Sequence, residues 1–220
     1  MINTLAEYNK RLNEVEIYFN SLRLLDKGTC EIKCVDIVGN VTTQNIDTQL
    51  STILKANGFL LLYNLIEATI RKSIDAVLNS IYNESVSFGA LSDKLRKIWL
   101  RQESKNMNPE KLIHIAESIL NRSIISFEKE CINISGNIDA QEIRNILKQL
   151  GGTEITNGRN LKTIKDKRNN LAHGEFTFSE IGSDYTISDL IMYKEETKKY
   201  LSSVLIEIQS FISNKKYLMQ

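Results

Sequence analysis

Arg168, Asn169 and His173 are the residues of this 220-residue chain whose types and spacing suit chemistry. They lie in the stretch LKTIKDKRNNLAHGE, residues 161–175. On helical spacing Leu161, Ile164, Arg168 and Leu171 share one stripe, while Lys162, Asp166, Asn169 and His173 share its neighbour. Arg168 therefore occupies a position that the surrounding pattern gives to Leu and Ile. A guanidinium cannot lose its charge there, so it needs a carboxylate, an anionic ligand or a route to solvent. Asn169 and His173, four residues apart, project from one face one turn apart. Imidazole is suited to moving protons near neutral pH, and Arg grips a phosphate in two places. Together they suit phosphodiester chemistry, and Gly174 predicts the end of the helix that carries them.

Two further groups support this site. Arg159, Lys162, Lys165, Lys167 and Arg168 crowd five cations against Asp166, the strongest local candidate for contact with an RNA phosphate backbone. Upstream, Glu67 is the only charge in the apolar stretch FLLLYNLIEATI, residues 59–70. Glu and Arg are seldom buried unless paired, so Glu67 is expected to support Arg168; a purely structural pair and a solvent-facing Glu67 are the competing readings. One geometric difficulty remains. Arg168 and His173 are five residues apart, roughly 140° around an ideal helix, so one regular helix does not aim both at one atom. Unwinding at Gly174 would turn His173, or a twofold homodimer would bring two copies of the motif face to face.

Arg168-Asn169-Asn170-Leu171-Ala172-His173 resembles the R-x4-6-H signature of HEPN domains, in which a polar residue often follows the Arg. The flanking text, NIDAQEIRNILKQLGG before the motif and GSDYTISDL with a long helix after it, is similar to the MAE-type HEPN nuclease-like subgroup. The resemblance covers roughly Asn57 to Leu218. It implies a homodimer whose subunits both line one cleft, and a metal-independent endoribonuclease. His173 would then act as general base or acid on the ribose 2′-hydroxyl or the leaving oxygen. Arg168 would stabilise the developing charge, and Asn169 would bond phosphate or position the imidazole. Such chemistry leaves a 2′,3′-cyclic phosphate and a 5′-hydroxyl. The resemblance also implies a toxin or effector of a bacterial toxin–antitoxin or phage-defence system, held in check by an antitoxin or other inhibitor protein. The alternative from the same family is a catalytically silent HEPN module that binds RNA or assembles with another protein such as a nucleotidyltransferase. A plain helical dimerisation protein with a coincidental motif is the third reading.

The elements that must position these groups are helical. One Pro and ten Gly, with abundant Leu, Ile, Lys, Glu and Asn, favour helices over a sandwich of short strands. Leu5, Tyr8, Leu12, Val15, Phe19 and Leu22 alternate steps of three and four and predict an amphipathic first helix. Residues 28–45 are irregular, with TCEIKCVDIV as a short strand and Gly39-Asn40 as a turn. A second helix is expected over 48–81. A third spans 90–102, with Leu91, Leu95, Ile98 and Trp99 inward and Lys94, Arg96, Lys97 and Arg101 outward. Asn108-Pro109 starts a fourth, whose stripe is Leu112, Ile115, Ile119 and Phe127. Asp139 to Glu142 has a capping-box arrangement before a short helix that Gly151-Gly152 stops. FTFSEIGSDYTIS reads as a surface loop in which Phe176, Phe178 and Tyr185 either pack or stack on an unpaired base. A last helix runs over about 188–213. The predicted architecture is all-α: one domain over residues 1–220, with an N-terminal helix and irregular segment over 1–50 and an up-and-down bundle with additional helices over 51–218.

The 28 Lys and Arg against 27 Asp and Glu give a formal charge of +1, so no global basic field announces nucleic acid and charge must be weighed locally. Cys30, Cys34 and Cys131, without a C-x-x-C pair, predict small buried thiols rather than a metal cluster or disulfide framework. No metal site and no cofactor are expected. No apolar run approaches 18 residues and the N-terminal text lacks a signal peptide's apolar core, which gives a cytoplasmic location and no membrane as the expectation. His114 falls away from its helix's stripe and is expected at the surface.

Overall fold

The apolar periodicities become helices close to where the sequence puts them. The computed structural model describes residues 1–134 and 136–219. Among these, α1 spans Ile2–Leu25, α2 Thr48–Asn83, α3 Asp93–Glu103, α4 Pro109–Leu120, α5 Ala140–Leu150, α6 Arg159–Ala172, α7 Phe178–Ser183 and α8 Ile187–Ser213. Strands β1 (Glu31–Val35) and β2 (Val41–Asn45) form an antiparallel hairpin, with Glu31 opposite Asn45 and Val35 opposite Val41. The fold is all-α apart from this hairpin. The described residues group into two compact units: Met1–Glu7, Glu67–Asn157 and Tyr200–Gln220 make one, and Tyr8–Ile66 with Gly158–Lys199 make the other.

The second of these units carries the motif. Its core comprises Val15, Phe19 and Leu22 from α1, Phe59 and Leu62 from α2, Leu161 and Ile164 from α6, and Leu190 from α8, all buried. Within it the second, sixth and eighth helices meet. Phe59 of α2 lies 6.0 Å from Tyr193 of α8, and Asn160 of α6 donates its amide to Glu196 of α8. α2 is long and apolar enough, by length and composition, to cross a membrane, with an 18-residue window of mean hydropathy 1.2. Its Ala56, Phe59, Leu62, Leu65, Ile66, Ile70, Ile74, Val77 and Ile81 are nevertheless buried inside the protein, the pattern of a core helix.

α1 is fastened by charge as well as by packing. Glu16 accepts from Lys194 at 2.5 Å and Lys198 at 3.0 Å, and Lys194, only 2 % exposed, also meets Glu195 at 2.8 Å. The hydrogen bond from Lys194, with help from Lys198 and against the cost of burial, holds the Glu16 carboxyl below its usual range. A depressed carboxyl stabilises the fold at neutral pH, and that contribution disappears as pH falls through the folded-state pKa. Glu16→Gln is expected to lower stability by about 2 kcal/mol at pH 7, below the full cost of a broken buried pair because Glu16 is partly exposed. Urea titrations at pH 7 and pH 3 check this, since the gap to wild type must shrink in acid.

Several sequence expectations are corrected. The irregular segment holds two strands, the second missed because VTTQN has no apolar alternation. Asp36 pins the turn by accepting from the Val38 and Asn40 amides at 2.9 and 2.8 Å. FTFSEIGSDYTIS is no loop: Thr177 and Glu180 form a capping box that starts α7, and Tyr185 packs against Phe59 at 4.9 Å. Arg96 does not face solvent with its neighbours but bonds the Phe88 and Gly89 carbonyls and stacks over the Phe88 ring, holding the 3-10 turn before α3. α4 buries Ile115 and Ser118, while Leu112 and Ile119 of the predicted stripe point outward. Of the cysteines, Cys34 is exposed on β1 and Cys30 is half-buried. Burial pushes the Cys131 thiol up to about 11.

α7 sits directly on α2. A Cβ at Gly182 would come within 1.9 Å of the Thr52 carbonyl oxygen and 2.6 Å of its carbon. No side chain fits without moving one backbone from the other, so Gly182→Ala is expected to cost about 2 kcal/mol or more, measured by thermal melting.

Candidate functional site

α6 is set at both ends by devices outside its own periodic text. Gly158, at φ +80°, turns the chain into the helix and offers no capping side chain. Glu196 supplies the cap instead, accepting from the Asn160 amide at 3.1 Å and its Nδ2 at 2.6 Å, a carboxylate placed at the positive end of a helix dipole. At the other end Gly174 takes the left-handed conformation, φ +68°. Glu175 N–H donates to the Asn170 carbonyl at 2.9 Å and Gly174 N–H to that of Leu171 at 3.3 Å, the paired bonds of a Schellman stop.

This stop decides the direction of His173. Its backbone stays in the right-handed helical region, φ −90° and ψ −3°, and its N–H donates to the Asn169 carbonyl at 2.9 Å. The helix unwinds at Gly174, one residue too late to turn the imidazole. The exposed side chain of His173 therefore keeps its helical bearing, roughly 140° from Arg168. Unwinding as a way to converge the two groups is ruled out within one copy.

Arg168 faces the other way, toward α2. Its guanidinium carbon lies 3.6 Å from the centroid of the Tyr63 ring, a stacking distance, and Tyr63 is 3 % exposed. Cation–π contact in such a desolvated place is worth about 2 kcal/mol. The same guanidinium donates from Nη1 to Asn169 Oδ1 at 2.8 Å. Stacking engages the face of the guanidinium, whose planar N–H edge is the geometry that matches phosphate oxygens. With the Asn169 oxygen turned to Arg168, the amide nitrogen is that residue's donor end. Sequence reasoning missed Tyr63; the available signal is a polar-tipped ring in the apolar stretch of residues 59–70, one turn before Glu67 on the same helix. Glu67 itself carries an ion pair to Arg71, with Arg71 Nη2 at 2.8 Å and Nε at 3.0 Å from one carboxylate oxygen.

The four candidate RNA-binding cations divide by helical bearing. Measured from Arg168, Lys165, Lys162 and His173 lie at about 60°, 120° and 140°, with Arg159 beyond and Lys167 on the opposite flank. Arg159 and Lys162 are exposed, while Lys165 is half-buried beside Asp166 at 3.6 Å. Lys167 meets Asp184 at 3.5 Å and lies 5.4 Å over the Tyr185 ring, which ties α6 to the turn after α7. Burial, with Asp184 and Asp189 nearby, raises the Tyr185 hydroxyl above its usual range. Phe178 is half-buried, whereas Phe176, three residues past His173, is 49 % exposed. Among the described residues no three His, Cys, Asp or Glu side chains converge on one point.

This arrangement offers a fixed guanidinium, an amide beside it and an exposed imidazole at a helix end. A family model described as HEPN_MAE_28990-like HEPN matches residues 3–217 of the chain. No curated protein and no solved structure matches it.

Proposed function

The chain belongs to the MAE-type HEPN family, and from that premise we propose that it is a metal-independent endoribonuclease acting as a homodimer. HEPN domains are often RNases, and the observation that carries the reading here is the divergent pair: Arg168 anchored on Tyr63, His173 exposed at the stop of the same helix. A second copy facing the first supplies to each His173 the guanidinium its own helix turns away.

In this reading an RNA strand lies in a cleft lined by two copies of the motif. One His173 accepts the ribose 2′-hydroxyl proton as O2′ attacks phosphorus, and the P–O5′ bond breaks. Solvent water protonates the departing O5′, so each pairing of one copy's His173 with the other copy's Arg168 is complete in itself. Arg168 holds the non-bridging oxygens as charge develops, with Asn169 as a neighbouring donor. Glu67, one turn from Tyr63, supports the guanidinium, and Arg159, Lys162, Lys165 and Lys167 are the basic residues nearest the motif in sequence. The products are a 2′,3′-cyclic phosphate and a 5′-hydroxyl. The setting that fits is a bacterial toxin–antitoxin or phage-defence system, with an inhibitor protein holding the enzyme in check in the cytoplasm.

Purified protein incubated with mixed RNA in chelator tests this. New cyclic-phosphate and 5′-hydroxyl ends are expected, and a requirement for a divalent ion would overturn the mechanism. RNA bound but left uncut would identify a silent HEPN module instead.

A further inference from the structure

From the distribution of cations in the unit that lacks the motif, we infer that the groove between α3 and α5 binds the phosphodiester backbone of single-stranded RNA; this rests on the RNA-directed reading above. The groove has a volume of about 410 Å³. Lys94, Lys97 and Arg101 stand on its α3 wall and Lys148 on its α5 wall, all exposed, with Glu142 as the one carboxylate in the lining. Four cations against one anion give a local excess of +3, in a chain whose formal total is +1.

These four cations line one groove, and none of them makes an ion pair among the described residues. Elsewhere in the same unit Lys215 pairs with Glu84 at 2.6 Å and Lys216 with Glu207 at 3.3 Å. Arg96, the remaining cation of α3, is turned away and engaged by the carbonyls before the helix. The helix thus divides its basic residues into one structural group and three unpaired ones on a single groove. Like charges gathered in this way repel one another and lower stability, unless an anion accompanies them in function.

The spacing fits a strand of phosphates. Three residues of rise separate Lys94 from Lys97 and four separate Lys97 from Arg101, about 4.5 and 6 Å along the helix. Axes of packed helices lie about 8–10 Å apart, so the groove suits a single strand rather than a duplex. No aromatic side chain lines it, which leaves nothing for bases to stack on. The site therefore takes the backbone irrespective of sequence, with the exposed Asn145 amide available to a 2′-hydroxyl. Its role is to hold a long RNA while the motif acts on one linkage.

The test uses full-length protein carrying His173→Ala, so that RNA stays uncut, with and without Lys94→Gln, Lys97→Gln, Arg101→Gln and Lys148→Gln together. Binding of a labelled single-stranded RNA of 20 nucleotides is followed by anisotropy across salt concentrations, with circular dichroism checking the fold. On a single strand each neutralised phosphate contributes about 0.7 to the steepness of log K against log salt, so removing four cations should lower it by about 2.8, with at least a tenfold drop in affinity. The same four substitutions in protein with His173 intact should slow cleavage of the long RNA but leave a dinucleotide cut at the wild-type rate. A folded variant with unchanged affinity and slope overturns the inference, as does protein that binds no RNA at all. If wild type cuts nothing yet the slope falls as stated, the groove stands and the catalytic reading alone fails.

Discussion

His173→Ala is expected to abolish RNA cleavage while leaving fold, assembly and RNA binding close to wild type. The imidazole is exposed and truncating it opens no cavity in the core, so stability is not at stake. The His173 backbone bonds of the helix stop survive, because they are made by main-chain atoms. General acid–base catalysis is typically worth about 10²- to 10⁴-fold, and in a shared cleft the substitution removes the imidazole of both pairings. Arg168→Ala should also be inactive, but for a mixed reason: it uncovers the Tyr63 ring as well as removing the group that grips phosphate. Single-turnover cleavage in chelator, beside melting curves, checks both. His173→Ala protein that cuts at the wild-type rate would dismiss the mechanism even with the fold intact.

The second large effect is complementation. Arg168 and His173 diverge by roughly 140° on one regular helix, so in the proposed homodimer a working pair comes from two copies. Co-expressed Arg168→Ala and His173→Ala chains, each inactive as a homodimer, should therefore recover cleavage when mixed. At equal expression half of the dimers are mixed, and each keeps one of two Arg/His pairings, so about one quarter of the wild-type rate is expected. Purification through two different tags isolates the mixed dimer and should raise the figure to about one half. Absence of recovery, with mixed dimers demonstrably formed, would place the pair within a single chain.

The sequence by itself determined the helical class, most helix positions and the unusual character of Arg168. These are local matters: periodicity of apolar residues sets which face is buried, and Asn108, Asp139, Gly151 and Gly174 set helix ends through bonds reaching only a few residues. The motif was legible for the same reason, since its spacing and its stop lie within a few helical turns.

Tertiary structure decided what long-range partners each polar group takes. Burial alone says that Arg168 needs a companion; that the companion includes the Tyr63 ring depends on where α2 passes. Lys167 looks in sequence like its basic neighbours, yet Asp184 and Tyr185 engage it because α7 folds back onto α2 at Gly182. The N-terminal cap of α6 comes from Glu196, 36 residues away, which no local pattern encodes. Strand β2 likewise forms only through its register with β1. Side chains with identical charge acquire different roles because the free energy of a cation depends on which carboxylates, rings and water surround it, and those are set by chain segments distant in sequence.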